Sequence, residues 1–349
     1  MLISIISFLI VFTIIALVHE GGHYIMAKRA GMRIPECGIG FGPRLWSFKK
    51  GEAVYSINLI PILAYVNIAG MDDAQDDKDA IPENMKYFSK PPLSRLMMAA
   101  FGPLMNIFLA FAILSIIFGF VGVPKSLSNI IDQVQPNSIA AKAGLLPGDQ
   151  IIGIDGSKAI SMEAVIEKIH TSANMPISLK IKRGEEILTI KATPKYNPKL
   201  KAALLGFTPL PTYSKVDPLT AIYFGAQQTY AMILLMFTIL WQLLTGAVSV
   251  KDLAGPVGIA QITGKYANSG MLSLLQFTAF LNVNIGVLNL LPLPALDGGH
   301  IIFALIELIT RKKVKEETQK NIHMWGLYFL LAIMALVTIN DILRIVLPK

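Results

Sequence analysis

Long apolar runs constrain the fold of this chain more than any other feature of its sequence. Residues 2–18 contain no charged side chain, and residues 93–121, 275–309 and 323–346 form further apolar runs with few charges. A helix of about 20 apolar residues is long enough to cross the hydrocarbon core of a bilayer. We therefore predict a mainly α polytopic membrane protein in which these four runs are transmembrane helices.

The composition agrees with a membrane protein and excludes several other classes. Of the 349 residues, 53% are hydrophobic and 15% are charged, whereas soluble domains carry about 25% charged residues. A cytosolic globular enzyme and a disordered chain are therefore excluded. The net charge of +8 does not require a nucleic-acid partner, because basic residues also mark the cytoplasmic loops of membrane proteins. The single cysteine, Cys37, excludes an intrachain disulfide and a zinc site built from cysteines.

The first apolar run is predicted to be a retained helix and not a signal peptide. No Lys or Arg precedes Lys28, so the basic segment of a signal peptide is missing. The polar residues His19, Glu20 and His23 continue the same run. We expect a first transmembrane helix over about residues 2–29.

The distribution of basic residues predicts the orientation. The segment 28–95 contains ten Lys and Arg residues, and the segment 311–320 contains five. Because cytoplasmic loops are enriched in Lys and Arg, both segments are expected in the cytoplasm. Both chain termini and the block after Val121 are then extracytoplasmic, and a bacterial inner membrane is the expected location.

A fifth apolar stretch, residues 221–244, is long enough to cross. If it did, the later span that carries Asp297 would run outward and end on the wrong face of the membrane to meet His19 and His23. We therefore expect four crossings, with 221–244 either lying along the outer surface or re-entering the membrane without crossing it. The alternative is that 221–244 spans the membrane and the register of the later span is different.

The motif HEGGH at residues 19–23 is the strongest chemical signal. Positions i and i+4 lie on one face of a helix, so His19 and His23 can bind one zinc ion. Glu20 beside them is positioned to act as general base on a water molecule. Ionisable residues within a membrane helix are costly and usually functional, which favours a zinc site over a polar patch in a helix bundle.

A catalytic zinc needs a third protein ligand and an open position. His170 lies in the predicted extracytoplasmic block, and His323 opens the last span without an evident partner. His300, Asp297 or another carboxylate remain. In residues 289–300 two prolines break the helix close to Asp297, and broken helices at membrane depth usually line a site. We favour Asp297 as the ligand and expect His300 to support the site or to pack nearby.

These motifs resemble the paired signatures of the site-2 proteases, which are intramembrane zinc metalloproteases. HEGGH lies in the first span and NLLPLPALDGG in a later one. Three further segments resemble the same family: GFGPRLWS (40–47), FGPLMN (101–106) and GPVGIA (255–260). The resemblance covers nearly the whole chain.

The resemblance implies roles for individual residues. It assigns His19, His23 and Asp297 as ligands of one Zn²⁺ per chain and Glu20 as the catalytic acid and base. It also implies that Asn289 holds the substrate backbone near the metal.

The block between the second and third predicted spans, residues 125–195, is expected to be a small α+β domain. Strand-like runs cover 129–134, 150–156, 177–183 and 187–194, and a helix-like run covers 162–170. The run SIAAKAGLLPGDQIIGIDG (138–156) resembles the signature of a PDZ domain. A PDZ insertion at this place matches the bacterial RseP-like branch of the site-2 proteases, although this chain has room for one PDZ domain and not two. The block is expected either to bind a peptide or to act as a structural spacer or gate.

A membrane-associated β-hairpin is expected over about residues 40–70. Residues 54–68 are strand-like and are expected to offer an edge to an extended substrate. The family pattern PLGGYV reads PILAYV here, at 61–66. The loss of both glycines is expected to change how closely a substrate backbone can approach.

The predicted domains therefore follow the chain in order. Residues 1–121 and 271–349 form the membrane core, with later spans at about 275–309 and 323–346. Residues 125–195 form the PDZ domain, and 196–270 form an extracytoplasmic linker with the surface helix.

The predicted function is zinc-dependent cleavage of peptide bonds within or next to the transmembrane segments of single-span proteins. Such regulated intramembrane proteolysis would act on an anti-sigma factor or a remnant signal peptide already trimmed by another protease. The alternatives are an inactive PDZ-bearing scaffold and a metal transporter that uses the same three residues as a transit site.

Overall fold

The computed structural model describes residues 2–71, 81–159, 161–198, 200–249 and 254–346. The chain divides into two compact units. The first combines Met1–Ile117 with Ile222–Lys349, and the second is Phe118–Ala221.

Long apolar helices build the first unit. Five helices in the described part of the chain are long and apolar enough to cross a membrane. They are α1 (Leu2–Arg29), α2 (Pro92–Phe120), α5 (Pro218–Leu244), α7 (Met271–Leu290) and α9 (Glu316–Val346). Two shorter helices, α6 (Pro256–Asn268) and α8 (Asp297–Thr310), lie on either side of α7 in the chain.

The stretch predicted to lie on the surface, 221–244, is part of the continuous helix α5. Its most apolar window has a mean hydropathy of 1.3, against 1.6 to 2.7 for the other four helices. Length and composition therefore admit five spans, and the predicted number of four is not confirmed by them.

Helices α1 and α2 approach closely near the HEGGH motif. A Cβ atom placed on Gly22 would lie 2.5 Å from the carbonyl oxygen of Phe101 and 2.9 Å from the Cα atom of Gly102. Small residues at such a crossing let two membrane helices touch along their backbones. The crossing brings the polar turn of α1 against α2.

The predicted third span, about 275–309, is not a single helix. Helix α7 ends at Leu290, and α8 begins at Asp297. Pro292 and Pro294 lie between them, and proline has no N–H to continue a helix. A Cβ atom on Gly298 would overlap the carbonyl oxygen of Leu291, so a glycine is needed where α8 starts this close to the end of α7.

The connection between α1 and α2 contains a β-hairpin of β1 (Glu36–Lys50) and β2 (Ala53–Asn67). Strand β2 bends back at Leu63, whose φ is +71°. As a result, the first residues of β1 pair with the first part of β2 on one side and with its last part on the other. Gly38, for example, is opposite both Ser56 and Tyr65. The hairpin thus becomes a small three-stranded ribbon with the start of β1 as its central strand.

A buried carboxylate holds this ribbon together. Glu36, 6% exposed, accepts hydrogen bonds from Ser56 Oγ at 2.8 Å, Tyr65 OH at 2.7 Å and Arg44 Nη2 at 2.6 Å. Buried charges are tolerated when they are paired and hydrogen-bonded in this way.

The second unit is an α+β fold. Its main sheet has the order β10 (Phe207–Ser214), β3 (Val123–Val134), β4 (Gln150–Ile154), β6 (Ile177–Arg183) and β7 (Glu186–Ala192), and β5 (Ser157–Lys158) pairs with β4. The remaining elements are α3 (Ile139–Lys142), α4 (Met162–Thr171) and the pair β8 (Lys195–Asn197) and β9 (Ala202–Leu204). Each of the four predicted strand-like runs overlaps an observed strand, and the predicted helix over 162–170 is α4.

The core of the second unit lies between the sheet and α4. Strand residues Ile151, Leu179 and Ile181 are fully buried, and Val165 and Ile169 of α4 belong to the same cluster. Leu179 and Ile181 are two positions apart in β6, so buried apolar residues alternate with polar ones along this strand. Such alternation is the sequence pattern that predicts a strand.

An ion pair closes the turn before β4. Arg183 donates from Nε and Nη2 to the two carboxylate oxygens of Asp149 at 2.7 and 2.8 Å, and the Leu146 N–H donates at 2.8 Å. Burial alone would raise the pKa of Asp149, but the hydrogen bonds from Arg183 and Leu146 outweigh it and hold that pKa below its usual range.

Candidate metal centre

Three predicted ligands meet inside the first unit. His19 Nε2 lies 3.1 Å from Asp297 Oδ2, and His23 Nε2 lies 3.3 Å from Asp297 Oδ1. The two imidazole Nε2 atoms are 3.2 Å apart. Among the described residues, these three form the group of His, Cys, Asp and Glu side chains whose ligand atoms could hold a metal ion.

Helix geometry explains the histidine pair. His19 and His23 are four residues apart on α1, and their rings are 4.8 Å apart between centroids. Asp297 reaches them because the break after α7 makes it the first residue of α8. The helix break that suggested Asp297 in the sequence is thus present next to the two histidines.

Helix α2 fixes the orientation of the His23 ring. Its Nδ1 lies 2.8 Å from the carbonyl oxygen of Met98, an acceptor only, so Nδ1 carries the proton and donates it. The other nitrogen, Nε2, then has a free lone pair that points at His19 and Asp297. Gly102 leaves room for this ring, because a Cβ atom there would lie 2.5 Å from His23 Cε1.

Asn106 of α2 fixes the orientation of the His19 ring. Its side-chain amide lies 3.2 Å from His19 Nδ1, and its Oδ1 is buried with no hydrogen-bond partner among the described residues. Amide O and N are assigned from the hydrogen-bond network. With the amide turned so that Oδ1 accepts from Nδ1–H, Nε2 of His19 is free to bind a metal.

The donor set fits a zinc ion. The free lone pairs of two imidazoles and a carboxylate converge, and Asp297 Oδ2 is buried without a hydrogen-bond partner among the described residues. Three acceptors facing one another need a positive charge between them. Two histidines and one carboxylate form a common catalytic zinc set, which leaves one position open.

Glu20 lies between this group and the hairpin. Its carboxylate lies next to the backbone of Val66 in β2. It also lines a cavity of about 470 Å³ between α1 and the two strands. A carboxylate next to a metal group and open to a cavity can exchange protons with water or substrate.

Comparison with known proteins places the chain in a family. Residues 7–333 match the profile of Peptidase family M50. The chain belongs to this family. The match spans nearly the whole chain and confirms the predicted relationship to the site-2 proteases.

Curated relatives align with this chain along nearly their full length. The regulator of sigma-W protease RasP from Bacillus subtilis is 31% identical over 98% of this chain and 99% of its own. The zinc metalloprotease RasP from Bacillus licheniformis is 30% identical with the same coverage. A relative from Clostridium perfringens is 34% identical over 96% of this chain and 97% of its own. As a member of M50, the chain is a zinc metalloendopeptidase of the membrane.

A solved structure resembles part of the chain. The PDZ domain of an SdrC-like protein from Listeria monocytogenes is 22% identical and covers 25% of this chain and 92% of its own, with a TM-score of 0.22. This score is too low to support an argument, and the PDZ assignment stays a prediction.

Asn289 is the penultimate residue of α7, and its side chain is partly buried. It precedes the break that carries Asp297. Its role as a substrate-binding residue of this M50 protein stays a prediction, as do the roles of the three ligands and Glu20.

His300 lies away from the three converging ligand atoms. Its ring stacks on His323 with 3.8 Å between centroids and meets the edge of Tyr87. The expectation that His323 has no evident partner is therefore wrong, because α8 and the start of α9 bring the two rings together. His323 Nδ1 also accepts a hydrogen bond from the Ala295 N–H at 3.1 Å, so it supports the break before Asp297.

Reasoning from residues missed the contributions of α2. The Met98 carbonyl oxygen, Gly102 and the Asn106 amide all contact the two histidines. A polar Asn in an apolar span was the available signal, since such residues are seldom placed there without a partner.

Proposed function

We propose that this protein hydrolyses peptide bonds within or next to the transmembrane segments of single-span proteins. One zinc ion held by His19, His23 and Asp297 and one proton-transferring carboxylate, Glu20, carry the reaction. The observation that best supports the proposal is the convergence of the three metal-binding side chains beside Glu20, at the edge of the hairpin.

Glu20 moves the protons in this proposal. Zinc, when bound, polarises the scissile carbonyl group and acidifies water. Glu20 takes the proton of the attacking water and delivers it to the nitrogen of the leaving amine. The Met98 carbonyl and the Asn106 amide keep both imidazoles in the tautomer that exposes Nε2.

The hairpin supports binding of the substrate in an extended form. Residues 64–67 of β2 pair with β1 on one side, and the backbone of Val66 lies next to Glu20. An extended peptide that adds to this outer edge would run past Glu20. A helical substrate must unwind to do so, and Asn289 is proposed to bind its backbone.

The experiment is the Glu20→Gln variant. Gln keeps the size of the side chain and its hydrogen bonding, but it cannot accept a proton from water. We expect loss of cleavage of a single-span model substrate, with zinc content and thermal unfolding equal to those of the wild type. Full activity of Glu20→Gln would refute the proposed role of Glu20 in proton transfer. Loss of zinc from the variant would show instead that Glu20 supports metal binding.

The helix contacts support four crossings with α5 on the outer surface. Gly264 of α6 packs against Ser4 at the start of α1, and the Gly258 N–H donates to Asp341 near the end of α9 at 2.8 Å. Helix α6 therefore begins and ends on the face that holds these two termini.

The start of α5 belongs to the same face. Gly225 packs against Ser115, near the outer end of α2. If α5 crossed the membrane, the segment 245–255 would have to return through the bilayer, and it is too short for a membrane-spanning helix of about 20 residues. The proposed location is a bacterial inner membrane, with both termini and the second unit outside.

The second unit is proposed to restrict access to substrates that another protease has already trimmed. It also has a cavity of about 980 Å³ between α4 and β10, lined by Ile169, Phe207 and Lys142 among others. Apolar walls with a basic rim suit the end of a peptide that carries a carboxylate. Deletion of residues 125–195 should allow cleavage of untrimmed substrates; if they stay uncut, the filter proposal fails.

A further inference from the structure

The cavity beside Glu20 is a candidate for recognition of a substrate side chain. It has a volume of about 470 Å³ and is walled by α1 on one side and by both strands of the hairpin on the other. Its walls include the aromatic residues Trp46, Phe48 and Tyr55 and the aliphatic residues Leu17, Ile39 and Ile57.

The polar atoms of the hairpin wall are already satisfied by the protein. Ser56 Oγ and Tyr65 OH both donate to Glu36. The hydroxyls of Tyr24 and Tyr55 bond to each other at 2.9 Å. Because these groups are used internally, the side chains that a substrate side chain would meet in the cavity are apolar apart from Glu20 and the thiol of Cys37.

The cavity adjoins the edge of β2 along which the substrate peptide is proposed to bind. Ala64 and Val66 of the outer edge of β2 line it together with Glu20. Side chains of an extended chain alternate between two faces. A peptide lying along this edge would therefore direct one side chain into the cavity while its backbone passes Glu20.

We propose that this cavity is a specificity subsite, which takes a large aliphatic or aromatic side chain of the substrate residue next to the scissile bond. The inference rests on the proposed proteolysis and adds the class of substrate residue. The substrate side chain would contact Trp46, Phe48 and Ile57 on the strands and Leu17 and Gly21 on α1.

Gly21 offers a way to fill the subsite without disturbing the helix crossing. A Cβ atom on Gly21 meets no atom within 4 Å, and the residue lines the cavity. The neighbouring Gly22 faces the backbone of α2 instead, where a Cβ would lie 2.5 Å from Phe101 O. A side chain at position 21 therefore extends into the space that the substrate side chain would occupy.

The first experiment varies substrate and enzyme together. A single-span model substrate receives Gly, Ala, Leu or Phe at each residue flanking its cleavage site, and kcat/KM is measured in detergent with the zinc-loaded full chain. One flanking position should prefer Leu or Phe over Ala by about tenfold or more, as expected for added methylenes in an apolar pocket. Equal cleavage of all four residues at every flanking position would overturn the proposal.

The enzyme series is Gly21→Ala, Gly21→Val and Gly21→Leu. The preference for Leu and Phe should fall stepwise with the size of the new side chain, and Gly21→Leu should favour the Ala substrate. An equal loss on all substrates with unchanged zinc content would contradict a side-chain subsite. A preference unchanged throughout the series would contradict it as well.

Cys37 gives an independent chemical test, because it lines the cavity and is the only cysteine of the chain. Methanethiosulfonates with methyl, butyl and benzyl groups should lower cleavage of the Leu substrate in the order of their size. The Cys37→Ala variant should be insensitive to all three reagents. If labelled wild-type protein retains its Leu preference, the assignment of this cavity is wrong.

The two proposals fail in different ways. Cleavage that persists in Glu20→Gln removes the proposed proteolytic mechanism. Cleavage that requires Glu20 but ignores the flanking side chain, position 21 and Cys37 removes only the subsite.

Discussion

Arg95 and Glu307 form an ion pair in the interior of the first unit, with each side chain only 2% exposed. Glu307 also accepts hydrogen bonds from Gln319 Nε2 at 3.1 Å and from the Val314 N–H at 3.2 Å. The pair therefore joins α2, α8 and the start of α9. Since α2 orients both histidines and α8 begins with Asp297, this pair holds the third ligand in register with the first two.

Loss of one partner of this pair should destabilise the fold and the metal centre together. Glu307→Ala leaves a buried guanidinium without its carboxylate, which costs about 3–5 kcal/mol. We expect a lower unfolding midpoint in detergent and reduced zinc retention. The double variant Arg95→Met/Glu307→Leu should recover much of the stability, because no uncompensated charge remains.

The pair of Glu316 and Lys320 on α9, whose side chains are 49% and 25% exposed and whose Oε1 and Nζ atoms are 2.8 Å apart, is a control with far less burial. Glu316→Ala should change stability by about 0–1 kcal/mol and leave zinc content unchanged. Equal effects of Glu307→Ala and Glu316→Ala would show that the buried pair does not position α8.

Asn106→Ala should weaken zinc binding by about 10–100-fold, the usual effect of losing a group that orients a metal-binding histidine. The amide lies 3.2 Å from His19 Nδ1 and fixes its tautomer. Zinc affinity is measured by competition with a chelator. Asn282→Ala is the control, because Asn282 is equally buried but donates to Thr278 of its own helix; similar losses in both variants would indicate a packing effect only.

Gly102→Ala should displace the His23 ring. The new methyl group would lie 2.5 Å from His23 Cε1, and a ring that moves away loses its hydrogen bond to Met98. We expect at least a tenfold loss in zinc affinity and in cleavage rate. Gly119→Ala, on the same helix, meets only the Cβ of Ala221 at 3.8 Å and should retain both; an active Gly102→Ala enzyme would refute the close fit.

The proposed position of α5 can be tested by cysteine labelling in a Cys37→Ala background. The cells are first stripped of any outer membrane, so that the membrane holding the protein stays intact. A cysteine introduced at Ala247 should then react with a membrane-impermeant maleimide. A cysteine introduced at Ser126 in the second unit should react as well. A cysteine at Lys313 should react only after permeabilisation. If the cysteine at 247 behaves like the one at 313, α5 crosses the membrane.

The second unit should lose stability in acid through Asp149. Because its pKa in the folded state is held below the usual value, its ion pair with Arg183 contributes fully above the unfolded pKa of about 4. This contribution is lost as the pH falls through the lower folded pKa. The protection factors of the amides of β4 and β6 in the full chain, which compare each exchange rate with the intrinsic rate at the same pH, should therefore fall below about pH 4.

Asp149→Asn is the comparison for this effect. It should exchange faster than the wild type at pH 7 and lack the acid-dependent step. An identical pH profile in both proteins would assign the acid sensitivity to another group.

Local patterns in the sequence determine much of the fold of this protein. The apolar runs predicted α1, α2 and α9, and alternation predicted the strands of the second unit, because both signals depend on neighbouring residues alone. HEGGH placed His19 and His23 on one face for the same reason: the spacing of a helix is fixed by its own hydrogen bonds.

The remaining parts of the site depend on contacts between residues far apart in the chain. The sequence favoured Asp297 over His300 only through its closeness to the proline break, which both residues follow. Only packing directs Asp297 toward α1 and stacks His300 on His323. The Met98 carbonyl, the Asn106 amide and the Arg95–Glu307 pair likewise became visible only when α2 lay against α1 and α8, because long-range packing chooses among arrangements that local propensities leave equally favourable.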